Sequence, residues 1–161
     1  MLRAIRSARA GQWPRDQRRA TATLAYDERH RRRRRLVSDE GEAFLLDLPQ
    51  AEPLGEGDGL ALAEGGWIEV KARPEALLAI GAASPALLCR LAWHLGNRHL
   101  PVAIEDGRIL IREDHVVEAM LRGLGAEIER LAAPFTPEPG AYAAAAPPGA
   151  AHHHHGGEAE E

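Results

Sequence analysis

The chain has 161 residues, enough for one ordinary domain or two small ones but not for a large enclosed active site. Phe, Trp and Tyr together make up only 4% of it, so any core must be aliphatic and a deep aromatic-lined ligand pocket does not fit. The net charge of −4 hides an asymmetry: residues 1–35 hold 12 arginines against three acids, a balance of +9, while the remainder carries 8 basic and 21 acidic residues, or −13.

In chain order, residues 1–19 read as a flexible, solvated, Arg-rich terminus. They have no apolar centre between the arginines and are therefore not a secretory signal. Residues 20–73 give short strand-like segments, "TATLAY", "RRRRLV", "EAFLLDL", "GLALAE" and "WIEVKA", separated by turn chemistry in "SDEGE" and "GEGDG". That pattern predicts a small antiparallel barrel or sandwich. The run Arg31, Arg32, Arg33, Arg34, Arg35 raises a nucleic-acid reading through phosphate contacts. Base-stacking aromatics are missing from it, and strand alternation splits its guanidinium groups between two faces. A solvated edge strand or a protein-docking surface is the better reading.

A boundary is expected between residues 71 and 74, where the pattern turns to alternating strands and helices. "EALLAI" reads as a strand. Ser84 then caps a helix with Pro85 at its first position, carries Leu87, Leu88, Leu91 and Leu95 at helical spacing, and is expected to stop at Gly96. "PVAI" and "RILI" form a hairpin around Asp106-Gly107. A second helix opens at Asp114, shows Val116, Val117, Met120, Leu121 and Leu124 on one face and ends at Gly125, before a last strand, "AEIERL". Strand, helix, strand, strand, helix, strand over residues 74–142 is the ferredoxin-like βαββαβ order, so the expected class is α+β. The Pro-, Gly- and Ala-rich residues 143–161 are expected to be a disordered tail containing His152, His153, His154 and His155.

The remaining chemistry lies in single residues. The one cysteine, Cys89, excludes an internal disulfide framework and a thiolate zinc cluster within one chain, which suits a reducing, cytoplasmic setting. No apolar run approaches the roughly 18 residues of a membrane span. His94 falls on the apolar stripe of the first helix and reads as packing. His99 follows the helix end and precedes Pro101, in an exposed turn where no core demands an imidazole, and His115 sits on the surface of the second helix's first turn. Imidazoles in such places suit Ni²⁺, and equally Cu²⁺ or Zn²⁺. No nucleophile–base–orienter spacing and no phosphate-binding glycine loop occurs, so the chain reads as a non-enzyme. Two other readings are a metal-dependent hydrolase using His99 and His115, and a basic RNA- or ribosome-associated protein acting through Arg31 to Arg35.

Three stretches in order, "HLGNRHLPVAI", "IREDHVVEAMLRGLG" and "PFTPEPGAY", closely resemble the urease accessory protein E family, the nickel metallochaperones of urease maturation. The earlier "RRRRRLVSDEGEAFLLDLP" and "EGDGLAL" resemble the family's N-terminal β domain more loosely. The resemblance implies a two-domain protein that dimerises through its ferredoxin-like domain, binds Ni²⁺ and passes it toward apo-urease together with a GTPase partner. It further implies that His99, in "GNRH", is the central metal ligand and His115, in "EDHV", a peripheral one. Some members carry a further histidine where this chain has Glu113. The tail histidines His152, His153, His154 and His155 resemble the variable histidine tails of the family and are expected to add weaker binding.

Overall fold

The computed structural model describes residues 1–139. Six strands form one curled sheet: β1 (Leu2–Ala8), β2 (Arg18–Leu24), β3 (Arg33–Val37), β4 (Ala43–Asp47), β5 (Gly59–Leu62) and β6 (Trp67–Ala72), in the order β2-β6-β5-β1-β4-β3. The expected antiparallel pairing is corrected here, because the sheet is mixed, β1 pairing in parallel with β4 and β2 with β6, and a single sheet is not a sandwich. Its concave side encloses an aliphatic core of Phe44, Leu46, Leu48, Leu54, Leu60, Ile68 and Val70, with Ala4 and Ala22 filling where strands approach.

The flexible terminus expected over residues 1–19 is also corrected. β1 is an interior strand between β4 and β5, and a 3-10 turn, Arg15–Gln17, leads into β2. Three of the six arginines of this segment meet buried carboxylates. Arg9 meets Asp58 at 3.0 Å, and Arg15 and Arg18 meet Glu69 at 2.9 and 2.5 Å. The Arg18 hydrogen bond, reinforced by the charge of Arg15, holds the Glu69 carboxyl below its usual range despite burial. Trp13 stacks on Trp67 with ring centres 5.7 Å apart and lies so close over Gly59 that a Cβ there would sit 2.6 Å from the indole.

The outer edge of β2 is covered by the turn that follows β3. Asp39 donates its N–H to the Thr21 carbonyl at 2.8 Å, its carboxylate accepts from the Thr23 N–H at 2.9 Å, and Glu40 accepts from the Thr21 N–H at 3.1 Å. Side-chain acceptors thus stand where a neighbouring strand would otherwise bond.

The second sheet holds β7 (Pro74–Gly81), β8 (Ala103–Glu105), β9 (Arg108–Arg112) and β10 (Glu127–Pro134) in the order β10-β7-β9-β8, every pair antiparallel. Two helices, α2 (Pro85–Asn97) and α3 (His115–Gly123), connect its strands. They cover one face, where Leu91, Leu95, Val117 and Leu121 pack on Leu78, Ile80, Ile109 and Ile111. On the other face Leu77, Ala79 and Leu110 lie beneath Phe135.

A single helical turn, α1 (Tyr26–Arg29), joins the two sheets, although the sequence pattern ran a strand as far as Tyr26. Glu28 folds back to accept from the Ala25 N–H at 3.0 Å, which favours a turn over continued pairing. The Tyr26 N–H donates to Glu75, the Tyr26 ring meets Phe135 edge to face, and Asp27 pairs with Arg112. Arg29 is 3% exposed and donates to the carbonyls of Leu24 at 3.2 Å, Leu54 at 3.0 Å and Phe135 at 2.5 Å. Burial pushes its pKa down, opposed by the charges of Glu75 and Glu56; three carbonyl acceptors are what make a buried guanidinium tolerable.

Candidate metal centre

Helix α2 starts as its sequence predicts: Ser84 Oγ accepts from the Leu87 N–H at 3.2 Å, and Pro85 follows the cap. It does not stop at Gly96. The helix runs on to Asn97, and Gly96 takes part in it without a positive φ. The stop is made one turn later by two backbone bonds. His99 N–H donates to the Gly96 carbonyl at 3.0 Å and Leu100 N–H reaches back to the Leu95 carbonyl at 3.4 Å. This is a Schellman end, whose geometry requires a left-handed residue. That residue is His99, with φ of +54°, the one non-glycine at positive φ among the described residues. A residue with a Cβ in that conformation costs on the order of 1 kcal/mol. Leu100, packed against the α2–α3 core, anchors the turn from its far side.

The outcome is an exposed imidazole on a backbone with little freedom. One turn back, His94 is half-buried and meets the Trp93 ring edge to face, with centres 5.1 Å apart. Trp93 itself is 64% exposed.

His115 is the first residue of α3 and is exposed. The Asp114 carboxylate just before it accepts from the Val116 and Val117 N–H groups at 2.9 and 3.0 Å. The bond from Val117, with a further contribution from Val116, holds the Asp114 pKa below its ordinary value. The inward face of α3 is narrower than its apolar pattern indicates. Val117 and Leu121 are buried, but Val116 is 61% exposed, and Glu118 turns inward to take Arg122 at 3.0 Å and Arg130 at 2.6 Å. Arg130 also pairs with Glu113. The Glu113 carboxylate, two residues before His115, is therefore already matched with a cation.

An open groove of about 570 Å³ connects the two histidine-bearing turns. Leu100 and Pro101, leaving His99, line one part of it, and Glu113 and Asp114, leading to His115, line another. Among the described residues no three His, Cys, Asp or Glu side chains gather as a ready-made ion cage. His152, His153, His154 and His155 lie outside the described residues. The sequence alone gives no role to Glu69, Asp58, Glu118 or Arg29; all four are buried charges, and each has at least one partner distant in the chain, beside the near ones of Glu118 at Arg122 and of Arg29 at Leu24.

Exposed imidazoles at the helix ends of a small α+β fold suit a metal-binding protein. The comparisons with known proteins give the family. The family model for the N-terminal domain of UreE urease accessory protein matches residues 2–73, and that for its C-terminal domain matches residues 75–161. The chain belongs to the UreE urease accessory protein family, a family of accessory chaperones and not of enzymes. It is similar to the urease accessory protein UreE of Chelativorans sp. (strain BNC1), 53% identical over 128 residues, which are 78% of this chain and 81% of that one. It is 48% identical over 143 residues to that of Bradyrhizobium sp. (strain BTAi1), covering 89% and 69% of the two chains. To that of Rhizobium meliloti (strain 1021) it is 52% identical over 120 residues, 74% and 78% of the two. No helix among the described residues is long and apolar enough to cross a membrane.

Proposed function

We propose that this chain is a cytoplasmic nickel metallochaperone that carries Ni²⁺ to apo-urease, working with the GTPase of the maturation complex. The observation that carries this reading is the left-handed, exposed His99. A residue whose place glycine fills more comfortably is retained for its side chain, and an imidazole is a good Ni²⁺ donor.

One imidazole holds an ion weakly. A two-fold axis beside His99, in a homodimer formed by the ferredoxin-like second unit, would bring two together. Trp93, a large exposed ring near the same helix end, supports that face as the subunit contact. The strand order β10-β7-β9-β8 supports the ferredoxin-like description of this unit, and the two sheets support a two-domain division near residue 73. His115, next to the groove-lining Asp114, is a peripheral donor, and His152, His153, His154 and His155 supply further, weaker sites.

Cargo transfer follows from the small donor set. Nickel held by few protein ligands keeps open coordination positions, so an acceptor's groups bind before the donor imidazoles leave. Cu²⁺ and Zn²⁺ compete for the same nitrogens.

Calorimetric titration with Ni²⁺ tests the reading on the intact chain, a form ending at Tyr142 and His99→Ala. The shortened form is expected to keep about half an equivalent of tight nickel per chain, the stoichiometry of one ion on a two-fold axis. His99→Ala is expected to lose it. Unchanged tight binding in His99→Ala would overturn the assignment.

A further inference from the structure

The two edges of the six-stranded sheet are treated differently. β2 is covered by Asp39 and Glu40, whereas among the described residues β3 pairs only with β4. Its register shows what the free side offers. Leu48 N–H donates to the Arg32 carbonyl and Ser38 N–H to the Glu42 carbonyl, so positions 32, 34, 36 and 38 bond inward to β4. Arg33, Arg35 and Val37 therefore turn their N–H and C=O groups outward along an unpaired edge.

The same edge is strongly cationic. Arg31, Arg32, Arg33, Arg34 and Arg35 are all exposed. Arg33 lies 3.8 Å from Asp47 and Arg31 donates to the Asp27 carbonyl, while among the described residues Arg32, Arg34 and Arg35 have no acidic partner. Alternation splits these guanidinium groups between two faces, which weakens them as a patch for a flat ligand. A strand added in the plane of the sheet also alternates its side chains, so it meets both sets.

We propose that the β3 edge takes an extended acidic segment as a further strand, and that its occupant is the chain's own Glu158, Ala159, Glu160 and Glu161. Three observations select this segment. It places three carboxylates in four residues, with Glu158 and Glu160 on one face of a strand and Glu161 on the other, matching the split of the arginines. Its connection starts nearby: the Phe135 carbonyl is held by Arg29, which sits four residues before β3. The tether is long enough, since 20 residues separate Glu138 from Glu158 and can span up to roughly 65 Å, several times the radius of gyration, about 14 Å, expected of a fold this size. Attachment to the same chain supplies an effective concentration on the order of 1 mM. A few main-chain bonds and exposed charge pairs with a Kd of that order would then leave the edge roughly half occupied.

The test uses ¹⁵N-labelled full chain and its Glu158→Gln/Glu160→Gln/Glu161→Gln variant at about 20 mM salt. Expected in the variant are shifted amide signals for Arg33, Arg35 and Val37, with exchange at these amides about two-fold faster than in the unaltered chain, as half occupancy predicts. The difference should vanish near 0.5 M salt, where screening acts over a few ångström. Arg33→Ser/Arg35→Ser should produce the matching change in the Glu160 and Glu161 signals. Superimposable β3 signals in the two proteins at low salt would overturn the proposal. A difference that grows with protein concentration would overturn it as an intrachain contact, and an RNA oligomer that shifts the β3 amides equally in both proteins would overturn the tail as occupant. Nickel stoichiometry at His99 is expected to be the same in both, which separates this outcome from that of the metal assignment.

Discussion

Helices α2 and α3 end with the same backbone geometry and different residues. In α3 the left-handed position is Gly125, at φ +91°, with Gly125 N–H bonded to the Arg122 carbonyl and Ala126 N–H to the Leu121 carbonyl, each at 3.0 Å. In α2 the equivalent bonds come from His99 and Leu100. One end uses the residue that adopts this conformation freely, and the other places an imidazole there at a cost. Stability alone accounts for the first choice but not for the second. The comparison therefore singles out His99 by physical means that owe nothing to its identity as a histidine.

The sharpest way to break this contrast is to make the two ends alike. His99→Gly is expected to abolish tight Ni²⁺ binding, an affinity loss beyond the roughly 10- to 100-fold caused by removing a mere supporting group, while raising stability by about 1 kcal/mol. Calorimetry and denaturant unfolding on the same sample check both halves; a variant that loses nickel and stability together would contradict the strain assigned to His99. The converse change, Gly125→Ala, is expected to destabilise by about 1–2 kcal/mol and leave nickel stoichiometry intact, because its Cβ has room, with Leu87 at 3.7 Å, and only the φ is unsuitable. Gly96→Ala should do the opposite of what a helix-stopping glycine would: nothing lies within 4 Å of a Cβ there, so the melting temperature should rise, by an amount equivalent to about 0.5–1 kcal/mol.

The N-termini of the two helices differ in a way that pH can read. Ser84 caps α2 with a hydroxyl, whereas Asp114 caps α3 with a carboxylate whose pKa is lowered by the amides it accepts from. A lowered carboxyl pKa contributes stability fully above the unfolded value, about 3.9, and loses it as pH falls through the folded value. Protection of the Val116 and Val117 amides, taken relative to intrinsic exchange at each pH, is expected to fall below about pH 4, while Leu87, bonded to a group that does not titrate, follows only the general acid loosening. Equal acid sensitivity at both helix starts would remove the distinction.

Much of the second sheet was readable because each element carries its own punctuation: Ser84-Pro85, Asp106-Gly107, Asp114 and Gly125 sit where local backbone demands them. The first sheet was less readable at both ends. β1 was missed because a register shift between Ala4 and Arg6 breaks its alternation, leaving Ile5 and Arg6 both exposed and Ala4 its one fully buried side chain. The pattern puts the end of α2 at Gly96 because glycine is the usual occupant of a left-handed stop, whereas the left-handed residue is His99, three positions beyond Gly96 and two beyond the last helical residue, Asn97. His99 as an exposed turn residue was visible in the sequence; the conformation that makes it informative was not. Nor was the pairing of Glu113 with Arg130, since the two are neighbours only after β10 has joined the sheet.

Arg29 imposes an order on the making of this molecule. Two of its acceptors, the carbonyls of Leu24 and Leu54, are synthesised within 25 residues of it, but the third, at Phe135, lies 106 residues downstream. The first sheet can form while the rest is still being translated, yet it carries a buried guanidinium with one donor direction unanswered until the last strand has passed. Completion of the second sheet is thus reported to the interior of the first by a single carbonyl, and a chain interrupted before Phe135 keeps an unfinished cation at the junction where its two halves meet.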